Sequence, residues 1–246
     1  MNLLLQKISL LLLMMLIHIT SFAQRGALKE PSNFESSSQI FDIIEEKLWE
    51  DKIIYYDMKD IVGSPFLTEY FLPGNLTFNG SDLGNFLFRY NIYQDEIELK
   101  SNESSITESV KKIKGITIQL ENNTLIKVFD DPKSNKYDKR NFFVVLADGD
   151  YKLVKKIWSK FSEPKEAENS LVGKKHAKFT TYENYFIANN DEKLNNFKSK
   201  IKGLEEYFPE IKNEIKEYVK EKNINLKKEQ DLIKLFIHLN SLTPKS

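Results

Sequence analysis

The sequence has no cysteine among its 246 residues, and this absence excludes disulfide frameworks, thiolate metal sites and cysteine nucleophiles. Neither positive nor negative charge is in excess, because 36 Lys and Arg residues balance 36 Asp and Glu residues. That balance argues against a nucleic-acid-binding protein that works by bulk positive charge.

The motifs of common catalytic and cofactor sites are also missing. The chain has no P-loop, no Gly-x-Gly-x-x-Gly and no Gly-x-Ser-x-Gly. Only three histidines occur, and two of them, His176 and His238, lie beyond residue 23. A zinc site commonly takes three or four His or Cys ligands. We therefore expect no metal site, no cofactor and no catalytic residue of these kinds.

The only long hydrophobic run stands at the N-terminus. Lys7 is followed by a predominantly apolar run, and Ser21 and Ala23 supply the small side chains that signal peptidases require. The run has about 12 residues, whereas a membrane-spanning helix needs roughly 20. We expect residues 1–23 to be a signal peptide cleaved between Ala23 and Gln24. The protein would then be secreted to the periplasm or the cell exterior, with no transmembrane segment after cleavage.

The rest of the chain divides into three regions. Polar residues 24–38 are expected to form a mobile lead-in. Residues 39–190 are expected to form a β-rich domain, and residues 191–246 a C-terminal helical cap. Within the β-rich domain, apolar residues recur every four positions over residues 39–50, which predicts a short N-terminal helix, and a strand is predicted at residues 53–56.

Three hairpins are predicted where turn residues separate short β-branched and aromatic runs. The turns fall at Gln94-Asp95, Asn122-Asn123 and Asp148-Gly149. Each is treated as a two-residue loop, which sets the register of its strands and the face of every side chain. The predicted cross-strand pairs are Ile92 with Ile97, Tyr90 with Leu99, Leu120 with Leu125 and Val144 with Leu153.

Apolar residues at helical spacing, surrounded by Lys and Glu, predict amphipathic helices near the C-terminus. The two stripes are Ile211, Ile215 and Val219, and then Leu232, Phe236 and Leu239. We therefore expect an α+β fold: an antiparallel β-meander of roughly six to nine short strands, with an N-terminal helix and the C-terminal helical cap.

Arg89 is the most informative single residue, because only three arginines occur and this one lies inside an apolar strand. Strand alternation places Arg89 on one face with Asn91 and Glu98, and Tyr93 points to the same side. One interpretation is a cross-strand ion pair, chiefly with Glu98 diagonally opposite, which would be worth under about 1 kcal/mol if it is exposed. The other is a binding surface formed by Arg89, Asn91 and Tyr93, in which the guanidinium clamps an anion.

Several short segments resemble a group of uncharacterised small secreted proteins from Gram-negative bacteria of the Bacteroidota type. The similarity lies in Gly63-Ser64-Pro65-Phe66-Leu67, in Phe71-Leu72-Pro73-Gly74, in Arg89-Tyr90-Asn91-Ile92-Tyr93-Gln94-Asp95-Glu96-Ile97-Glu98 and in Glu229-Gln230-Asp231-Leu232-Ile233-Lys234-Leu235. The signal ending in Ala23-Gln24 is similar to theirs as well. The resemblance implies an envelope location and one continuous architecture. It supplies no activity and no catalytic residues.

These observations favour an exported, non-catalytic envelope protein that binds another envelope component, either a protein or a glycan, and no nucleic acid. Two alternatives stay open. The first is a carboxylate-based hydrolase acting on polysaccharide or peptidoglycan, which needs two convergent acids in a cleft. The second is a peripheral accessory protein associated with the outer membrane.

Overall fold

The computed structural model describes most of the chain beyond residue 60. The described parts are residues 61–134, 139–165, 175–188, 191–198 and 200–242, together with the backbone of Ile44–Glu46. All of them belong to one compact unit that comprises residues 36–246. The predicted signal peptide, lead-in and strand at residues 53–56 lie outside the described residues.

The described residues form one antiparallel sheet of eleven strands. The strands are β1 (Ile44–Glu46), β2 (Leu72–Phe78), β3 (Ser81–Asn91), β4 (Glu96–Lys100), β5 (Glu108–Val110), β6 (Ile116–Leu120), β7 (Leu125–Asp130), β8 (Arg140–Ala147), β9 (Lys152–Ser162), β10 (Lys178–Ala188) and β11 (Asn195–Phe197). Their order across the sheet is β1-β5-β4-β3-β2-β6-β7-β8-β9-β10-β11. Neighbours in the sheet are mostly neighbours in the chain, so the broad expectation of an antiparallel α+β protein is confirmed.

Two details of the expected architecture are wrong. The described sheet has eleven strands rather than six to nine, because β1, β5 and β11 have only three residues each and show no recognisable alternation. The N-terminal helix predicted over residues 39–50 conflicts with β1, whose Ile44 lies opposite Val110 of β5. A four-residue apolar spacing is a weak local preference, and pairing with the sheet satisfies the same backbone groups.

The β3–β4 hairpin has the predicted faces but a different register. Tyr90 lies opposite Ile97 rather than Leu99, because the loop between Asn91 and Glu96 is longer than two residues. Asp95 closes this loop at a φ of 57°. A shift of two residues keeps every side chain on its predicted face. The inward residues are accordingly buried: Phe88, Tyr90, Ile92, Ile97 and Leu99.

The β6–β7 hairpin is shifted by a single residue, which reverses the faces of β7. Leu125 lies opposite Gln119 rather than Leu120. The cause is Asn123, whose φ of 65° lengthens the turn by one residue. As a result Ile126, and not Leu125, joins the main core beside Leu120.

The sheet curls so that strands from its two halves share one core. The main hydrophobic cluster takes side chains from β2 to β9, including Leu76, Phe88, Leu99, Ile118, Val128, Phe142 and Ile157. Tyr90 of β3 meets Phe142 of β8 edge to face, with 6.1 Å between the ring centroids. Full burial of each such side chain is worth about 1.5–3 kcal/mol, so this cluster is a principal source of stability.

Beyond the end of the pairing between β8 and β9, strands β9 and β10 continue as a two-stranded ribbon. The pairing of β9 with β8 begins at the turn and ends at Lys155, opposite Val144. Its pairing with β10 continues to Ser162. We use the term ribbon for residues 156–162 and 178–184. In the third predicted hairpin, Val144 lies opposite Lys155 and not Leu153. This net shift of two residues combines a longer turn, after which Ala147 pairs with Leu153, with an irregularity in the pairing between Val145 and Ala147.

The ribbon is attached to the remainder of the fold through two backbone contacts. The amide of Ser159 donates to the carbonyl oxygen of Ile92 at 3.0 Å, just beyond the end of β3. The amide of Phe179 donates to the carbonyl oxygen of Val62 at 2.8 Å. The segment before β2 thus connects the ribbon to the β3–β4 hairpin.

Three helices follow the sheet and pack on β8, β9 and β10. They are α1 (Ile201–Tyr207), α2 (Lys212–Glu221) and α3 (Glu229–Leu242), with a 3₁₀ turn at Pro209–Ile211. The predicted stripe of α3 is buried against Leu153 and Ile187 of the sheet. His238 of α3 stacks on Tyr218 of α2 with 3.8 Å between ring centroids. The region expected to be a helical cap also contains strand β11.

Candidate functional site

Arg89 has partners within the molecule. Its Nε donates to Glu98 Oε2 at 2.7 Å, and Glu98, directly opposite in the register, is fully buried. The guanidinium carbon lies 3.9 Å from the ring centroid of Phe66 and 4.6 Å from that of Phe71. Aromatic rings therefore lie against the guanidinium of the ion pair, in which the Arg89 side chain is 21% exposed and that of Glu98 is fully buried.

Asn91 and Tyr93 occupy different environments. Asn91 is buried, and its Oδ1 accepts hydrogen bonds from the amides of Tyr93 and Gln94, which stabilises the β3–β4 turn. Tyr93 is exposed over 38% of its surface and packs edge to face on Phe179 of the ribbon. A binding role for Arg89, Asn91 and Tyr93 stays a prediction.

A buried ionic cluster joins the β3–β4 turn to the start of the ribbon. Lys156 forms an ion pair with Asp95 and donates to the carbonyl oxygen of Phe142 at 3.0 Å. The hydroxyl of Tyr90 donates to Asp95 Oδ1 at 2.6 Å, and Lys112 Nζ lies 2.9 Å from Asp95 Oδ2. Sequence reasoning missed this cluster, although a lysine next to inward-facing apolar residues of a strand was an available signal.

Burial is the largest influence on the pKa values of Lys156 and Tyr90 in this cluster. It lowers the pKa of Lys156 below its usual 10.5, and the carboxylate of Asp95 opposes that fall. Burial and the charge of Asp95 both raise the pKa of Tyr90 well above its usual 10.0. Asp95 Oδ1 is hydrogen-bonded within the cluster, whereas Asp95 Oδ2 is buried without a hydrogen bond and is balanced by the ion pair with Lys112. Since its charges are paired within the molecule, we assign the cluster to stability.

One face of the ribbon carries aromatic and basic side chains. Trp158 and Tyr182 are cross-strand partners whose rings stack with 5.7 Å between centroids and 20° between planes. Lys160 Nζ lies 5.6 Å from the ring centroid of Tyr182, and Lys178 is exposed on the same face. This face of residues 156–162 and 178–184 has no Asp or Glu. We call it the ribbon face.

The opposite side of β9 and β10 carries a separate polar cluster. Tyr185 lies 2.9 Å from Glu183 Oε1 and 3.0 Å from Glu229 Oε2, and Lys155 forms an ion pair with Glu229. Burial, followed by hydrogen bonding to the two carboxylates, raises the pKa of Tyr185 well above its usual value. Because Glu229 belongs to α3, this cluster helps to attach the helix to the sheet.

An open cleft of about 440 Å³ lies where the β8–β9 turn, the β10–β11 loop and the end of α1 meet. Its aromatic walls come from Tyr151, Tyr207 and Phe208. Asp191 and Glu210 are two exposed acids on its lining. The described structure therefore places two carboxylates in one cleft with aromatic walls.

A second open cleft, of about 450 Å³, lies over β2, β3 and β6 and has no aromatic residue in its lining. It is lined largely by amide side chains, and these are partly used within the protein. Asn75 Nδ2, for example, donates to Asp82 Oδ1 at 2.8 Å. We therefore regard the aromatic cleft as the better candidate for a ligand.

The part of the chain that the structure describes has no group of three or more His, Asp or Glu side chains placed to hold a metal ion. None of the helices in the described ranges has both the length and the apolar character needed to cross a membrane.

Comparison of the chain with models of protein families, with curated proteins and with solved structures gives no match. The candidate sites therefore depend on the geometry of this chain alone.

Proposed function

We propose that the protein is an exported, non-catalytic envelope protein whose ribbon face binds an acidic polysaccharide of the envelope. The observation that carries this proposal is the stacked pair of Trp158 and Tyr182 beside Lys160 and Lys178, on a face without carboxylates. Aromatic rings offer apolar contact to sugar rings, and lysines attract uronate or other anionic groups.

The geometry of the ribbon supports this role. Residues 156–162 extend past the point where β9 leaves β8, while Ile157 and Ser159 are buried against the rest of the fold, so the ribbon face is presented from a supported part of the sheet. Tyr182 is exposed over 42% of its surface. A rigid pair of strands presents these side chains without the ordering cost that a flexible loop would have.

Binding to a soluble acidic polymer tests the ribbon face. We expect residues 24–246 to bind polygalacturonate in isothermal titration, with an affinity that falls as salt rises. Lys160→Glu combined with Lys178→Glu should weaken binding about tenfold or more. Lys227→Glu combined with Lys228→Glu changes the net charge equally at two exposed lysines in the α2–α3 loop; this matched control should have little effect. The proposal would be contradicted if the variant at Lys160 and Lys178 bound as tightly as the unsubstituted protein, or if no acidic polymer bound at all.

Export is the second part of the proposal, and it is supported by the N-terminal pattern and by the resemblance described above. Expression of the full chain in a Gram-negative host should give a protein in the periplasm or medium. Its N-terminus, determined by mass spectrometry, should be Gln24. Retention of Met1 in a cytoplasmic product would contradict export.

The hydrolase alternative is favoured by one observation, the presence of Asp191 and Glu210 on one cleft. It predicts that the protein releases reducing ends from polysaccharide and that the Glu210→Gln variant does not.

The alternative of a peripheral accessory protein predicts that a mild salt or carbonate wash releases the protein from envelope fractions.

A further inference from the structure

The aromatic cleft is not explained by the fold or by the ribbon face. Glu210 makes no ion pair or hydrogen bond with any described residue, although it lies beside the half-buried Tyr207. Within the described ranges, the carboxylate of Asp191 accepts a hydrogen bond only from the amide of Lys193, two residues along the chain. The cleft therefore carries polar groups that have capacity for a ligand.

The walls of the cleft are held in place by packing. Phe208 is buried, and its ring centroid lies 4.7 Å from that of Tyr151 and 4.8 Å from that of Tyr207. Asn240 of α3 accepts from the amide of Tyr151 at 2.8 Å and donates to its carbonyl oxygen at 2.9 Å. These contacts preorganise the aromatic surface.

The signs of the charges indicate the class of ligand. Asp191 and Glu210 disfavour an anion, and Lys193 disfavours a cation in the same space. A neutral molecule rich in hydroxyl groups suits both signs, because each hydroxyl both donates and accepts. Burial raises the pKa of Tyr207, so its hydroxyl stays protonated as a further donor.

We propose that this cleft binds a neutral saccharide unit, whose ring contacts the tyrosines while its hydroxyls bond to Asp191, Glu210 and Lys193. The volume of about 440 Å³ falls within the range of small-molecule sites. This inference is independent of the ribbon face, which would take an acidic polymer by other residues.

The test uses residues 24–246 and three neutral probes: cellohexaose, maltohexaose and the hexamer of N-acetylglucosamine. Saturable binding of at least one probe is expected in isothermal titration. Glu210→Ala and Asp191→Asn should each weaken it by at least about fivefold, since each removes a charged hydrogen-bond partner. Asparagine at position 191 still accepts from the amide of Lys193, so the loop is kept. Tyr207→Phe, which keeps the ring, should weaken binding less.

Two controls separate this site from other possibilities. Tyr182→Ser alters the ribbon face and should leave binding of the neutral probes unchanged, whereas it weakens binding of polygalacturonate. Absence of saturable binding for all three probes would overturn the inference. So would Glu210→Ala and Asp191→Asn variants that bind the probes as tightly as the unsubstituted protein. Release of reducing ends that is lost in Glu210→Gln would overturn it in favour of hydrolysis.

Discussion

At the scale of single residues, the buried charges have the largest consequences. Two ion pairs involve β3 and its turn: Arg89 pairs with Glu98 of the adjacent strand β4, and Asp95 of the β3–β4 turn pairs with Lys156 of the distant strand β9. A buried charge is tolerated only when its partner and its hydrogen bonds are in place. Removing one member of such a pair is therefore much more costly than removing both.

Asp95→Asn is expected to lower the free energy of unfolding by about 3–5 kcal/mol, because it leaves the ammonium of Lys156 buried without a carboxylate. Asparagine tolerates the positive φ at this position, so the turn is kept. Urea unfolding measures the loss. The double variant Asp95→Asn with Lys156→Met should recover part of it.

The matched control for this ion pair is Lys234→Met, since Lys234 is 64% exposed in its 3.4 Å contact with Asp231. It should cost less than about 1 kcal/mol. A loss as small for Asp95→Asn as for Lys234→Met would show that the buried cluster contributes no more than a surface pair.

Alkaline pH should destabilise the fold through Tyr90. Its folded pKa lies above 10.0, so the unfolded chain releases this proton first as pH rises. The stabilisation is complete below about pH 10 and is lost above it. Tyr90→Phe should be less stable at neutral pH, where it lacks the bond to Asp95. Its stability should nevertheless fall less steeply between about pH 9.5 and 11.

Urea unfolding at several pH values checks this difference in slope. The lowered pKa of Lys156 acts in the opposite direction, because the unfolded chain binds its proton more tightly. That residue is present in both proteins, so the comparison largely cancels it. Parallel pH profiles for the two proteins would contradict the assignment to Tyr90.

At the scale of elements, turn geometry decides how the strands are connected. Gly63 has a φ of 83°, and a Cβ there would lie 2.5 Å from the carbonyl oxygen of Phe179. This close approach allows the segment before β2 to pair with the ribbon. Gly80, between β2 and β3, has a nearly equal φ of 81°, but a Cβ there would have no atom within 4 Å outside its chain neighbours.

Gly63→Ala should therefore cost more than Gly80→Ala, although both place alanine at a positive φ. We expect about 1 kcal/mol for Gly80→Ala from backbone strain alone. For Gly63→Ala we expect about 2–4 kcal/mol, because the clash with Phe179 adds to the strain. Urea unfolding of the two variants gives the comparison, and equal losses would show that the clash is relieved by movement of the segment.

At the scale of the whole molecule, the helices and the sheet share a core. Phe236 of α3 is fully buried in the cluster that contains Leu153 and Ile187, while its neighbour Ile237 is 61% exposed. The two residues are adjacent in sequence and differ mainly in the direction of their side chains. They offer a direct test of whether the helical layer stabilises the sheet.

Phe236→Ala should lower the free energy of unfolding by about 3–5 kcal/mol through the lost contacts and the cavity. Ile237→Ala should change it by less than about 0.5 kcal/mol. Circular dichroism and tryptophan fluorescence should shift together for Phe236→Ala, since a cooperative unit unfolds in one transition. Separate transitions would show that the helices unfold independently of the sheet.

Part of the fold could be predicted from local patterns. The predicted faces of the β3–β4 hairpin depend on strand alternation, and the buried stripe of α3 depends on helical spacing, which are local properties of the chain. Both predictions are confirmed. The register predicted for the β6–β7 hairpin is wrong, and it shows the limit of local patterns. Asparagine tolerates the positive φ found at Asn123, but the geometry of the whole turn decides whether that φ is adopted.

The sequence by itself determined the antiparallel α+β class, the absence of cysteine chemistry and the inward faces of several strands, since these follow from composition and from the period of side-chain alternation. Only the tertiary structure decided that Arg89 is enclosed by Phe66 and Phe71, and that Lys156 meets Asp95 across 61 residues. It also decided which side chains form the ribbon face and the aromatic cleft. Such contacts join residues far apart in the chain, and local propensity carries no information about which distant segments meet.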